Sequence, residues 1–310
     1  MSHQQSAVTA SGHRRLAEGI VVTRIGLGMM QLPGPGVWGP PADRSNARAV
    51  LRAARDLGVN HVDTSDAYGP HVANDLIREA LFPYPPELVV ATKVGAVRDE
   101  SRAFVAGDTP DQLREQVEEN LRRLGMNELD LVYLRVAGDG LLQPGPTPFV
   151  ESFGALSELR QKGLIRHLGL SGVSVAQFDE ARGLAPVVAV QNRYHLLDRG
   201  SVEVLVACEQ HDIAFVPYFP LSAGLLDPDL DTAQMPPGMG LTTEQARTLD
   251  AIAQRHGASR PQVAIAWLLH QATVTLAIPG TSQLAHLEQN VDAAHIRLSA
   301  DDMSALTSLA

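Results

Sequence analysis

The sequence predicts an α/β protein of the (β/α)8 barrel type, with an N-terminal hairpin plugging the barrel bottom. Three observations carry that prediction. Strand-like and helix-like segments alternate through eight units along the 310 residues. The strands, "LVVATKV" (88–94) among them, are apolar at successive positions, the pattern of a parallel sheet covered on both faces. Polar residues stand where those strands end, and in a barrel the C-terminal strand ends converge on one mouth. A doubly wound open sheet is the alternative, but no G-x-G-x-x-G follows the first strand, so its dinucleotide fingerprint is missing.

Each element has its own signal. Residues 1–12 are polar and lack periodicity, which reads as a flexible tail before a single domain over 13–310. "GHRRLAEGIVV" (12–22) reads as the plugging hairpin, and "VTRIGLGMMQL" (22–32) as the first barrel strand. The helix over 45–58 takes Ser45 as N-cap and Gly58 as its stop. "VNHVDTS", "ELVVATKVG" and "LDLVYLRV" are strands two to four; between the last two lies a helix with Thr109 as cap, Pro110 at its first position and Gly125 as stop. "IRHLGLSG", "PVVAVQNRYH", "IAFVPYFPL" and "VTLAIPG" are the remaining strands, each followed by a helical segment. No linker or composition shift divides the chain.

Composition narrows the function. A net charge of −10 with no basic run argues against a nucleic-acid or acidic-membrane surface. No apolar run reaches membrane-spanning length, and "MSHQQSAVTASGH" has no signal-like apolar core. The single cysteine, Cys208, cannot form an intrachain disulfide, so a reducing cytoplasm is expected. Its helical setting reads as a buried structural thiol rather than a nucleophile.

Asp63 ends strand two, Lys93 strand three and Arg135 strand four, and Tyr68 follows on the loop after strand two. Alone, Asp63 reads as a helix cap, Lys93 as a surface charge and Tyr68 as packing. At successive barrel strand ends they point into one cleft. That set suits carbonyl reduction. A hydride reaching a carbonyl carbon leaves negative charge on oxygen, which needs a proton donor. A tyrosine hydroxyl is a poor acid at neutral pH, and a nearby ammonium favours its phenolate. Asp63 holds Lys93 charged and in place, and Arg135 adds fixed positive charge near the developing oxyanion.

"HVDTSDAYG", "QNRYHLLDR" and "IPGTSQLAHLEQN" resemble the aldo-keto reductases, and the resemblance covers nearly the whole chain after the tail. It implies a barrel with a nicotinamide cofactor, usually NADPH, across its C-terminal mouth. It also implies Asp63, Tyr68, Lys93 and the position of Arg135 as the catalytic set. The family more often has His at the last position. Arg keeps the donors but does not titrate, which leaves Tyr68 as the proton donor. "QLPGPGVWGPPADR", "HVDTSDAYGPHVANDLIREAL", "LRVAGDG" and "VPYFPL" resemble the bacterial pyridoxal reductase branch, which implies NADPH-dependent reduction of pyridoxal to pyridoxine. The permanent charge where His is usual leads to the expectation that Arg135 pairs with the 3-oxyanion beside the aldehyde.

By the same resemblance, Ser171 and Gln191 bind the nicotinamide carboxamide, with Asn192 or water standing in for the side chain that Gly172 lacks. Tyr218 stacks on the nicotinamide ring, and Leu221 to Leu226 wrap the pyrophosphate through backbone amides, a role suited to Ser222 and Gly224. Gly280, Thr281, Ser282, Gln283, His286, Gln289 and Asn290 hold the adenosine end. Gly28, Met29, Asp63, Phe219, Leu221 and Leu226 complete the cofactor set. No Arg or Lys stands near the 2′-phosphate position; NADPH is expected all the same, NADH less so. His286 alone also reads as a surface helix residue.

The expected substrate is a small carbonyl compound. Its pocket is expected to draw on Met30, Gln31, Trp38, Tyr68 and Arg135, with Asp139 in "VAGDG"; Trp38 reads equally as a lid aromatic or as rim packing. His61 and His167 read as satisfied core or interface histidines, and His195 lies near the mouth, within reach of substrate or cofactor. No His/Cys/Asp/Glu spacing suggests a metal. Two other functions stay open: a ketoreductase of specialised metabolism acting on a larger carbonyl, and an NADPH-binding sensor subunit with little turnover. The sequence leaves the oligomeric state open.

Overall fold

In this computed structural model, residues 7–136, 142–226 and 241–310 are described. The chain opens with a 3-10 turn, Ala7–Ser11. Strands β1 (His13–Ala17) and β2 (Ile20–Thr23) then pair antiparallel. The barrel strands follow as β3 (Leu27–Gly28), β4 (His61–Asp63), β5 (Val89–Arg98), β7 (Leu129–Arg135), β8 (Ile165–Ser171), β9 (Val187–Gln191) and β10 (Ala214–Phe215), parallel neighbours in that order. The short strand β6 (Phe104–Gly107) folds back antiparallel on the end of β5.

Residues 274–280 form the eighth wall. Phe215 N donates to Val274 O at 2.9 Å and Leu276 N to Phe215 O at 2.8 Å on one side. Ala277 N donates to Arg24 O at 2.9 Å and Gly26 N to Ala277 O at 2.8 Å on the other, which closes the ring. Closure leaves no strand edge among these walls.

The helices around the barrel are α1 (Arg44–Asp56), α2 (Val72–Leu81), α3 (Pro110–Leu124), α4 (Phe149–Gln161), α5 (Val175–Leu184), α6 (Val202–Gln210), α7 (Thr243–Arg255), α8 (Arg260–Gln271), α9 (Leu284–Asp292) and α10 (Ala300–Thr307). Their starts are written locally. Thr109 and Gln112 form a capping box at α3, Pro110 follows, and Gly125 ends the helix at φ 69°. Ser174, Thr242, Ser259 and Ser299 cap α5, α7, α8 and α10 in the same way. At α1 the cap is Asp43 rather than the expected Ser45: Asp43 Oδ1 accepts from Asn46 N at 2.9 Å, and Ser45 lies within the first turn.

Period-two alternation decides what faces the barrel interior. Val89 and Ala91 of β5, Leu131 and Tyr133 of β7, and Ala189 of β9 pack together inside with Leu276 and Ile278. Ile20 and Val22 of the hairpin join this same cluster, so the hairpin plugs the barrel. One further step of two along each strand gives Lys93, Arg135 and Gln191. The apolar floor thus dictates which polar side chains face the mouth. A separate outer core lies between the strands and the helices.

Two boundaries differ from expectation. Val22 and Thr23 belong to the hairpin, and Met29–Gln31 form a 3-10 turn, so the first barrel strand is far shorter than 22–32. Within the expected tail, residues 7–12 include a 3-10 turn packed against the barrel's outer core. Val8 is fully buried in the outer core and the Ser11 hydroxyl donates to Val8 O at 2.7 Å. The apolar side chain of Val8 is what anchors the turn.

The C-terminal helix is held by Asp302. Its buried carboxylate accepts from the Arg255 guanidinium, His256 Nε2 at 3.0 Å and Ser299 N at 3.1 Å. Burial alone raises its pKa, but these donors outweigh burial and hold it well below the usual carboxylate range. A depressed pKa stabilises the fold fully above the unfolded value, about 3.9, and that contribution is lost as pH falls below it. Asp302→Asn is therefore expected to cost about 2 kcal/mol at neutral pH and almost nothing in strong acid, read from urea midpoints across pH.

Candidate active site

The strand ends open on one cavity of about 760 Å3. Asp63, Tyr68, Lys93 and Arg135 all line it, as do Ser171, Gln191 and Tyr218. At its base, Lys93 Nζ donates to Asp63 Oδ1 at 2.5 Å and to Thr64 O at 3.0 Å. The other Asp63 oxygen accepts from Gln191 Nε2 at 2.8 Å. Both charges are almost wholly buried, with side chains only 4% exposed. Burial disfavours the ammonium, yet the Asp63 carboxylate and the Tyr68 oxygen outweigh it, and the Lys93 pKa is raised. Lys93 is therefore a fixed cation at neutral pH, and its Nζ lies 5.2 Å from the Tyr68 ring centroid.

A polar chain behind the strands fixes this base. Thr64 Oγ1 donates to Asn74 Oδ1 at 3.0 Å, Asn74 Nδ2 to Asn120 Oδ1 at 2.9 Å, and Thr92 Oγ1 to Asn120 Oδ1 at 2.7 Å. All four residues are fully buried, and they tie β4 and β5 to α2 and α3 on either side of Lys93. The Tyr68 loop is closed by Tyr68 N on Ser65 O at 3.0 Å and Ala73 N on Tyr68 O at 3.1 Å. Those bonds bring Tyr68 back over the mouth.

The cavity continues past Gly28, Met29, Met30, Gln31, Phe219, Leu221, Gly224 and Leu226 to Gly280, Thr281, Ser282, Gln283, His286, Gln289 and Asn290. Its wall needs glycine at Gly28 and Gly280. A Cβ on the first would stand 2.6 Å from Ile278 O, and one on the second 2.8 Å from Gly28 O. At the far end, α9 begins without a side-chain cap, and Asn290 Nδ2 is buried with no partner among the described residues.

Three expected contacts are placed elsewhere. Ser222 does not line the cavity. Its side chain is fully buried against His195 Nδ1 at 3.1 Å, and the amides of Ser222 and Gly224 are spent on Phe219 O and Leu221 O. Trp38 stands outside the cavity, packed beside Arg98 and Arg102, which favours rim packing over a lid. Asn192 props the backbone at Gly172 and Val173 instead of facing a ligand. Asp139 lies outside the described residues. Phe104, Pro220, Ser259, Pro261 and Ile278 line the cavity although sequence reasoning does not single them out. Of these, Ile278 is legible as the next inward position after Leu276 in the strand period.

The remaining titratable groups stay apart from the cavity. His61 is fully buried, and neither ring nitrogen has a partner, so it is not a satisfied core histidine. Burial holds its pKa down at about 4, and it stays neutral. His195 is likewise lowered by burial, to about 4. The Cys208 thiol is pushed up to about 12 by burial. Asp66, His71 and Glu119 bring ligand-type atoms within 4.8 Å of one another, a cluster that sequence spacing hides because distant segments of the chain supply it. Its charges are already matched, His71 Nδ1 to Asp66 at 2.9 Å and Glu119 to Arg122 and Arg123.

Among the described residues no helix is long and apolar enough to cross a membrane. Residues 24–310 match the aldo/keto reductase family. The chain is 45% identical over 286 residues to pyridoxine 4-dehydrogenase of Escherichia coli K12, covering 92% of this chain and 94% of that protein. It is 39% identical over 297 residues to an uncharacterised oxidoreductase of Schizosaccharomyces pombe, covering 96% and 90%. Its fold superposes on the glycerol dehydrogenase of Gluconobacter oxydans with a TM-score of 0.82 at 28% identity, covering 97% and 95% of the two chains. An aldo/keto reductase from Klebsiella pneumoniae, solved with NADP and acetate, matches with a TM-score of 0.76 at 26% identity, covering 96% and 94%. With a closed barrel and a cavity at its strand ends, this chain belongs to the aldo/keto reductase family and is an oxidoreductase.

Proposed function

We propose that the protein reduces an aldehyde, pyridoxal foremost, to the alcohol, with NADPH as reductant and Tyr68 as proton donor. The observation that carries this reading is the buried Lys93–Asp63–Gln191 chain at the base of the cavity that Tyr68 lines. The E. coli relative named pyridoxine 4-dehydrogenase supports the substrate, and the Klebsiella structure with NADP supports the cofactor.

The residues fit a dinucleotide. The uncapped start of α9 offers amides to a phosphate, and the buried Asn290 Nδ2, unpartnered among the described residues, awaits an acceptor. NADPH, when bound, supplies the hydride. In this reading Ser171 binds the nicotinamide carboxamide, joined by the Gln191 oxygen; both residues line the cavity, and Gln191 Nε2 donates to Asp63. Tyr218 and Phe219, nearly perpendicular at 5.3 Å between centroids, frame the ring site. Lys93 offsets negative charge on the Tyr68 oxygen once the proton has left, and Arg135 holds the substrate oxygen. A cytoplasmic setting suits a buried thiol and this cofactor.

Steady-state oxidation of NADPH and NADH with pyridoxal and a panel of larger carbonyls tests the reading. Pyridoxal is expected to be turned over, with NADPH preferred by about tenfold, a modest ratio because no guanidinium among the described residues lines the far end. Tight cofactor binding without turnover would sink the enzyme reading in favour of a sensor subunit, and preference for bulky ketones would sink pyridoxal.

A further inference from the structure

At the cavity mouth, β5 runs beyond Gly95 to Arg98, and β6 returns Phe104 directly opposite Arg98. Phe104 lines the cavity. Two guanidinium carbons lie over its ring, Arg98 Cζ at 4.0 Å from the centroid and Arg135 Cζ at 4.7 Å. Arg98 is itself tethered. Its Nη2 donates to Gly36 O at 2.9 Å, and its Cζ lies 5.5 Å from the Trp38 ring. The β5–β6 hairpin and the end of β7 therefore meet at the Phe104 ring, and Arg98 links them to the loop between β3 and α1.

Arg135 is the odd member. It is only 8% exposed, yet among the described residues no carboxylate pairs with it. Lys93, the other buried cation of the cavity, is paired to Asp63. Buried charge normally has a partner of opposite sign, and a ring quadrupole compensates it only weakly. Among the described residues, Arg135 is thus a buried cation at the mouth that no carboxylate matches, on a chain of net charge −10.

We propose that the hairpin builds an anion site, in which Phe104 and Arg98 hold the Arg135 guanidinium ready for an ionised oxygen carried on the substrate's own ring next to the reacting carbonyl. The enzyme then selects planar ortho-oxyanion aldehydes over neutral ones of the same size. Phe104 and Arg98 are positioning residues that act through Arg135. This rests on the reductase reading above and adds to it the two residues that set the selectivity of its Arg135.

The test compares 2-hydroxybenzaldehyde, 2-methoxybenzaldehyde and benzaldehyde with NADPH across the pH range in which the phenol ionises. In the wild type, KM for the hydroxy compound is expected to fall about tenfold below that for the methoxy compound as the phenol ionises, with kcat following far less. Phe104→Leu and Arg98→Met are expected to bring that ratio toward one and flatten the pH dependence of KM. Phe104→Tyr, which keeps the ring, is expected to restore both. A wild type with no preference, or a Phe104→Leu variant with the full preference, overturns the proposal. The wild-type pH profile decides the matter even where a variant does not fold. Reduction of benzaldehyde alongside a missing preference removes the anion site and leaves the reductase standing; no oxidation of NADPH with any aldehyde removes both.

Discussion

Tyr68→Phe is expected to lower kcat for aldehyde reduction by about a thousandfold while leaving NADPH affinity within about threefold. Phenylalanine keeps the ring and its packing and loses only the hydroxyl. Tyr68 is 6% exposed at the cavity wall, so the variant keeps its burial. Among the described residues no other acid stands ready. A guanidinium is too weak an acid for the role, Asp63 is engaged by Lys93 and Gln191, and His61 is cut off from the cavity. Steady-state kinetics with direct cofactor titration separates the two effects. A kcat within tenfold of wild type would mean that another group or solvent delivers the proton.

Lys93→Met is expected to damage both activity and fold. Removing the ammonium leaves the Asp63 carboxylate in the barrel with only Gln191 as a donor. Breaking one side of a buried ion pair costs about 3–5 kcal/mol, because the surviving charge stays desolvated. Turnover is expected to fall about a hundredfold or more, since Tyr68 loses the cation beside it. The double variant Lys93→Met with Asp63→Asn is expected to recover much of the stability and none of the activity. Urea unfolding of the single and double variants checks this. Equal stability of both would show that the pair contributes little to the fold.

The pattern that makes the site legible is the period of the strands. Val89, Ala91 and Lys93, or Leu131, Tyr133 and Arg135, share one face, so an apolar interior followed by one polar step reads directly as a strand end at a barrel mouth. Hairpin and caps are legible for similar local reasons: Gly19 between two short strands, or Thr109–Pro110 before a helical run. What stays hidden depends on residues distant in sequence. Nothing in "RAFVAG" announces that Phe104 will return to the cavity, because its place is set by pairing with β5 rather than by its own pattern. Ser222 has the chemistry of a phosphate ligand, but His195, 27 residues earlier, claims its hydroxyl. Trp38 is ambiguous in sequence because only the fold brings Arg98 and Arg102 against it.

The central claim is that one phenol and one dihydropyridine address the same carbonyl. The most direct measurement is a crystal structure of the protein with NADP+ and pyridoxine. The account predicts the Tyr68 oxygen within about 3 Å of the alcohol oxygen, the nicotinamide ring against Tyr218 with its reactive carbon facing the carbinol carbon, and Arg135 beside the ring oxyanion. An alcohol bound away from Tyr68, or a nicotinamide ring lodged elsewhere than beside Tyr218, would contradict it.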